Sequence, residues 1–154
     1  PADMKFPAPS QPVVLDQDGC RYRPHVFGIQ AGQPLEIVNS DPVLHNVNAQ
    51  PQRQRGFNIS QPVQGMRTTR TFSAPEVMVK VGCDVHGWMQ AWVGVLPHPY
   101  FGTTGEDGTF TIGKLPPGTY TIEAWHERFG TQTQTVTVGP GESKTVEFAF
   151  NVAA

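Results

Sequence analysis

The stretch "EVMVKVGCDVHGWM", residues 76–89, joins a strand pattern to a loop rich in metal-binding side chains. Every second residue from 77 to 81 is valine, whereas Met78 and Lys80 occupy the positions between them. This two-residue period is typical of a half-buried β-strand. Because the same period continues past Gly82, the sequence predicts that Cys83 points inward.

Cys83, His86 and Met89 follow this strand at steps of three residues. A mononuclear electron-transfer copper site needs two imidazoles and one thiolate in a plane, with a weak axial thioether. The loop supplies one imidazole, so a second must come from elsewhere in the chain. His45, in "IVNSDPVLHNV" (residues 37–47), follows another strand and a turn and is the candidate.

Turn residues cut the rest of the chain into short segments. The 154 residues include 16 glycines and 15 prolines, and the apolar residues show no long helical period. Strands are predicted at 13–15, 25–29, 35–39, 46–49, 68–72, 77–81 and 91–96. This pattern predicts an all-β sandwich.

The sequence changes in character after Tyr100. "DGTFTI" at 107–112 and "LPPGTY" at 115–120 are turns that lead into alternating strands, and apolar residues share one face over 146–150. We expect four strands in this tail. Since such a module normally needs more, we also expect it to complete its sandwich against the preceding half.

Residues 13–97 resemble the cupredoxins, the plastocyanin- and amicyanin-like blue copper proteins. The matching residues are "YRPHVFGIQAGQPLEIVNSDPVLHNV" and the C-x2-H-x2-M loop. The resemblance implies a Greek-key β-sandwich with one mononuclear copper site. It also implies equatorial ligands at His45, Cys83 and His86 and an axial ligand at Met89.

Two further features follow from this resemblance. It implies that the backbone N–H of Asn46 points at the sulfur of Cys83, a contact that tunes the metal. It also places Cys20 and His25 in a loop at the metal-bearing end. A Cys20–Cys83 disulfide is therefore an open alternative, in which Cys83 could not ligate as a thiolate and His25 becomes a further candidate ligand.

The tail resembles the carboxypeptidase-regulatory-like, or transthyretin-like, β-module on the two motifs quoted above. The predicted domains are a Pro-rich segment at 1–12, a cupredoxin-like domain at 13–99 and this module at 100–154. The fold expected for the whole chain is a cupredoxin-like sandwich with a transthyretin-like extension packed against it.

The predicted function is that of an exported copper protein carrying single electrons between redox partners. It is not predicted to be an enzyme, because metalloprotease and nucleophile-elbow motifs are missing. The alternative is a non-redox binding, scaffold or copper-handling protein with the Cys20–Cys83 disulfide. The proline-rich start is typical of a processed chain in the periplasm or outside the cell.

Charge and hydropathy limit the partners. The formal net charge of −2 gives no basis for nucleic-acid binding, and no apolar stretch is long enough for a transmembrane segment. Between Asp41 and Glu76 the only charged residues are arginines: Arg53, Arg55, Arg67 and Arg70. They form a hypothetical docking surface for an acidic redox partner.

Overall fold

The computed structural model describes residues 5–150, which form an all-β chain without a helix in that range. No helix capable of crossing a membrane occurs in this part. The chain divides into two compact units between Ile112 and Gly113. The strands are β1 (Val13–Gln17), β2 (Tyr22–Arg23), β3 (Val26–Gln30), β4 (Leu35–Asn39), β5 (His45–Gln50), β6 (Phe57–Gln61), β7 (Arg67–Arg70), β8 (Glu76–Gly82), β9 (Gln90–Leu96), β10 (Gly118–His126) and β11 (Gly130–Val138).

The first unit contains two sheets around one apolar core. One sheet has the order β2-β1-β4-β7 and the other has the order β3-β9-β8-β5-β6. The pairs β1/β4 and β3/β9 are parallel, and the remaining neighbours are antiparallel. Leu15 and Ile37 from the first sheet and Val47, Val79 and Val93 from the second are fully buried in the same cluster. This core fixes the ends of β5 and β8, from which the site is built.

The predicted alternation along β8 is confirmed over most of its length. Val79 and Val81 are fully buried, and Cys83 continues the inward face. Val77 was predicted on the same face, but this is wrong because its side chain is 48% exposed. The pairing of β8 with β9 shifts in register between Glu76 and Val79, which breaks the two-residue period at that point.

Two strands of this unit were not predicted. The first, β2, has only two residues, too few to give a pattern. The second, β6, has the polar sequence "FNISQ", and its inward face includes Gln61, which is fully buried. Gln61 accepts a 2.6 Å hydrogen bond from Nε2 of Gln17, another buried glutamine. Buried glutamines obscure the apolar pattern on which strand prediction depends.

The second unit contains one long hairpin. β10 and β11 pair from Gly118↔Val138 to His126↔Gly130. Four strands were expected in the tail after Tyr100. This is wrong for the described residues 101–150, since neither 107–112, which belongs to the first unit, nor 143–150 forms a strand. The shared face of the last segment is confirmed, because residues 146, 148 and 150 are half-buried while 147 and 149 are exposed.

Gly28 on β3 lies against the ring of Phe101. A Cβ atom at this position would overlap two ring carbons of Phe101. Gly28→Ala should therefore lower the free energy of unfolding of the first unit by about 1–3 kcal/mol, through overpacking. Chemical denaturation of the metal-free protein measures this change.

Gly82→Ala is the matched control, because Gly82 lies on β8 of the same sheet and an added methyl group meets nothing within 4 Å. Equal stability of the two variants would show that Phe101 does not restrict the space at Gly28.

Candidate metal centre

The site lies where β5 begins and β8 ends. β5 and β8 are antiparallel neighbours with Asn48 opposite Gly82. In an antiparallel pair the start of one strand and the end of the other lie at the same edge of the sheet. The chain therefore places His45, the first residue of β5, close to Cys83, the residue after β8. The loop from Cys83 to β9 then brings His86 to the same place.

The side-chain donors of these three residues converge. Nδ1 of His45 lies 3.1 Å from Nδ1 of His86, and Nδ1 of His86 lies 3.9 Å from Sγ of Cys83. One ligand atom from each residue lies within 4.8 Å of the other two. Metal–nitrogen and metal–sulfur bonds are about 2.0–2.3 Å long, so two donors on one ion are at most about 4.1–4.6 Å apart. The two measured distances are shorter than this limit, and the donor set fits one soft or borderline metal ion.

Met89, the predicted axial residue, closes the loop from inside. Its side chain is 1% exposed and belongs to the apolar core. Its amide donates to the carbonyl of His86 at 3.0 Å, and its carbonyl accepts from the amide of Cys83 at 3.3 Å. These two bonds fold residues 83–89 into a compact turn. The thioether is buried in the core, and its axial role stays a prediction.

A cluster of amides around Asp84 holds the same turn from outside. The side chain of Asn46 donates to Asp84 Oδ2 at 2.8 Å and accepts from the Asp84 amide at 2.5 Å. Asn58 donates to the same oxygen at 3.1 Å. The hydrogen bonds from Asn58 and Asn46 hold the pKa of Asp84 below its usual range. The residue after His45 and the residue after Cys83 are therefore joined directly.

The contact implied for the backbone N–H of Asn46 is not among the described hydrogen bonds of the Cys83 sulfur. The amide that donates to this sulfur is that of His86, at 3.4 Å. Tyr22 is a further neighbour that the sequence did not single out. Its buried hydroxyl donates to the carbonyl of Asn46 at 2.6 Å. Burial, with smaller contributions from Cys83 and Asp84, raises the pKa of Tyr22 above its usual range.

Asp41 occupies the far side of His45. Its Oδ2 lies 2.7 Å from Nε2 of His45, and the imidazole is fully buried. The same carboxylate accepts the amides of Gly19 and Cys20 at 2.8 and 2.9 Å. Burial alone would raise the pKa of Asp41, but the hydrogen bonds from Cys20 and His45 together outweigh burial and lower it. The carboxylate therefore stays charged beside the imidazole.

The two cysteines are both free thiols, which contradicts the Cys20–Cys83 disulfide of the alternative hypothesis. Cys20 is half-buried and can offer its sulfur within 4.8 Å of donor atoms of Asp41 and His45. His25 lies outside both groups of donors found among the described residues, and its Nδ1 is 2.9 Å from the carbonyl of Gln90. His25 is thus not among the converging donors.

Parts of this chain are similar to a known protein family and to known structures. Residues 95–151 match the family model of the carboxypeptidase regulatory-like domain. No curated protein matches the chain significantly. Among solved structures, a Cu-containing nitrite reductase (NirK) from Thermus scotoductus SA-01 aligns with 61% of this chain at 21% identity and a TM-score of 0.51. The first unit has a cupredoxin-like fold. Only the fold follows from this likeness, since the match spans 25% of the nitrite reductase chain.

Amicyanin structures are also similar to this chain, at lower scores. An oxidised amicyanin variant matches 54% of this chain and 80% of its own at 18% identity, with a TM-score of 0.47. A reduced Cu(I) variant at pH 4 matches 61% of this chain and 87% of its own at 19% identity, with a TM-score of 0.47.

Trp88 lies beside His86 at the protein surface. Its ring is 67% exposed, and its centroid lies 5.1 Å from that of His86. Its Nε1 donates to the carbonyl of Cys20 at 2.9 Å. This exposed ring is therefore held in place between the loop at 83–89 and the turn at Cys20.

Several of these neighbours carry weak signals in the sequence. Asp41 stands four residues before His45 in a turn, and Asp84 stands inside the ligand loop, so both could be suspected from spacing. Asn58 and Tyr22 come from β6 and β2, which were not predicted as strands. Their contribution could be found only after the pairing of these strands was known.

The Asp84 cluster generates a test of loop rigidity. Asn46→Ala removes bonds to both the amide and the carboxylate of Asp84, and should lower the free energy of unfolding by about 1–3 kcal/mol. Amide hydrogen exchange over residues 84–89 of the metal-free protein should also become faster.

Asn48→Ala is the matched control, because Asn48 contacts Asp84 only through an exposed bond of 3.5 Å. Exchange rates that rise equally in both variants would contradict a specific role for Asn46.

Proposed function

We propose that the cupredoxin-like unit binds one copper ion through His45, Cys83 and His86, with Met89 as a weaker axial ligand. The observation that carries this proposal is the convergence of two imidazole nitrogens and one thiol sulfur at one sheet edge, 3.1 and 3.9 Å apart along the series. Thiolate, imidazole and thioether together select copper among the common metals. The ion would supply a one-electron couple between its +1 and +2 states.

The chain's own residues would keep this donor set rigid. His45 and Cys83 are fixed by the pairing of β5 with β8, and His86 by the compact turn that Met89 closes. The amides around Asp84 join the two parts. A donor set that cannot rearrange suits a metal that changes charge, because each change then costs little movement.

We infer that the protein is an electron carrier and not an enzyme. His45 is fully buried, and Cys83 and Met89 are 6% and 1% exposed. An ion held by these residues would have no open side for a substrate, and only the partly exposed His86 would connect it to solvent. Electrons can pass through an imidazole edge, whereas substrate molecules need direct access to the metal.

The surface around His86 suits transient contact with a redox partner. Four exposed apolar side chains flank the two histidine positions in sequence: Val43, Leu44, Val85 and Trp88. Exposed apolar side chains near a partly exposed histidine suit contact with a partner protein. We propose that electrons pass through this face, between His86 and the partner.

The four arginines predicted to dock an acidic partner lie at different distances from the site. All four arginines are exposed, but Arg53 and Arg55 follow the end of β5, roughly 17 Å or more from its first residue, His45. Arg67 pairs opposite Val38 near the site, and its side chain contacts Glu36. An acidic partner that docks on these arginines would therefore be steered by them, while the apolar face provides the contact for transfer.

Export to the periplasm or the outside of the cell remains part of the proposal. It is supported by the cupredoxin-like fold of the first unit, because proteins with this fold are typically periplasmic or extracellular. The partner would then be an exported redox protein.

The copper proposal is tested by the visible spectrum of the protein with one equivalent of Cu(II). We expect an intense thiolate-to-copper absorption band and a narrow copper hyperfine splitting in electron paramagnetic resonance. Cys83→Ser should abolish both, because the serine oxygen cannot supply this charge transfer.

Cys20→Ser is the matched control and should leave the band in place. Copper bound without colour in the wild-type protein would indicate a storage or delivery site instead of a carrier, and no bound copper would indicate a scaffold.

The transfer face is tested by the rate of electron exchange between Cu(I) and Cu(II) copies, measured from nuclear magnetic resonance line widths. Val85→Lys places a charge beside His86 and should slow exchange about tenfold, since two copies then repel at the contact.

Val77→Lys adds the same charge at an equally exposed valine, 48% against 50%, at the opposite end of β8. It should change the rate less than twofold. Equal slowing by both variants would show that net charge, and not the face around His86, limits exchange.

A further inference from the structure

The two histidines of the site have different surroundings on their outer sides. The ring of His86 faces the exposed Trp88, whereas Nε2 of the buried His45 faces a carboxylate at 2.7 Å. Because the charged carboxylate can only accept, Nε2 must carry the proton and donate this hydrogen bond. His45 would thus be held as the tautomer whose Nδ1 lone pair faces the donor group.

Asp41 is itself fixed in this position. Its amide donates to Oδ1 of Asn39 at 2.9 Å, and its carboxylate accepts the amides of Gly19 and Cys20. Asn39 is fully buried and also donates to the carbonyls of Val43 and Gln61. The carboxylate therefore cannot turn away from His45 without breaking its hydrogen bonds from the amides of Gly19 and Cys20.

We propose that Asp41 is a positioning residue that sets the affinity and the reduction potential of the metal site through His45. This inference rests on the proposed copper function and deepens it. A carboxylate bonded to the outer nitrogen makes the imidazole a stronger donor and fixes its ring. Its negative charge also favours the more highly charged ion, so Asp41 stabilises Cu(II), whereas a thioether such as that of Met89 favours Cu(I).

A purely structural role for Asp41 makes a different prediction. If the carboxylate served only to cap the Gly19–Cys20 turn, its replacement would lower stability and leave the potential unchanged. Asparagine separates the two cases, because its side-chain oxygen can still accept from His45 or the amides while the charge is removed. Alanine removes the hydrogen bonds as well.

The experiment compares wild type, Asp41→Asn and Asp41→Ala in three measurements. The first is copper affinity, by competition with a chelator of known strength, and we expect a 10- to 100-fold loss in both variants. The second is the reduction potential, which should rise in Asp41→Asn. The third is the 15N spectrum of the histidine rings in the metal-free protein, where Nε2–H of His45 should be resolved in wild type and lost in Asp41→Ala.

Asp16→Asn is the matched control. Its carboxylate accepts from Ser40, the residue before Asp41, at 2.6 Å, so it removes the same charge without touching a histidine. In Asp16→Asn the copper affinity should stay within twofold of wild type. The reduction potential should stay close to the wild-type value. If Asp41→Asn and Asp16→Asn behave alike, the inference is overturned.

The ring spectrum separates this inference from the proposed function. A wild-type protein that shows the Nε2–H tautomer of His45 but takes up no copper would overturn the copper proposal while keeping the positioning of His45 by Asp41. A coloured copper protein whose His45 carries its proton on Nδ1 when metal-free would keep the copper proposal. It would overturn the positioning of His45 by Asp41.

Discussion

The antiparallel pairing of β5 with β8 is the constraint on which the site depends. The pairing register, with Asn48 opposite Gly82, decides that His45 and Cys83 leave the sheet at the same edge. A shift by one residue would turn each side chain to the other face of the sheet. Val47, Val79 and Val81 are fully buried on these strands, so such a shift would also expose the core. The free energy that holds the core together therefore also holds two of the donors in place.

The sequence predicted the parts of this arrangement that repeat with a period or stand at a fixed spacing. The valines of β8, the inward Cys83 and the steps to His86 and Met89 belong to this class. The burial of Val77 was predicted wrongly because a register shift arises from the pairing of two strands. The sequence of one strand alone does not reveal it. The strands in the tail were overcounted for a related reason: alternation shows that a segment can share a face, as at 146–150, but not that a neighbouring strand will pair with it.

The polar surroundings of the site were beyond prediction for a physical reason. Buried polar groups need partners, but each amide can bond with many others, and the sequence does not say which. Gln17 and Gln61 meet from opposite sheets, and Asn58 reaches Asp84 from a strand that was not expected. Asp41 and Asp84 stand near the candidate donors in the chain and could be suspected from spacing, but of their contacts with other side chains only the Asp41–His45 contact joins two side chains that are close in sequence.

In the proposed copper site, the two histidines would divide the tasks that an electron carrier must combine. A metal whose potential is well defined needs a ligand protected from water, and His45 meets this need because it is fully buried and bonded to a fixed carboxylate. A metal that exchanges electrons needs a ligand near the surface, and His86 meets that need beside the exposed Trp88. The carbonyl of Cys20 holds Trp88, and the amide of Cys20 binds Asp41. The turn at Cys20, which lies outside the loop at 83–89, therefore contacts the neighbours of both histidines. Its backbone would support the proposed site although the sulfur of Cys20 is not among the proposed ligands.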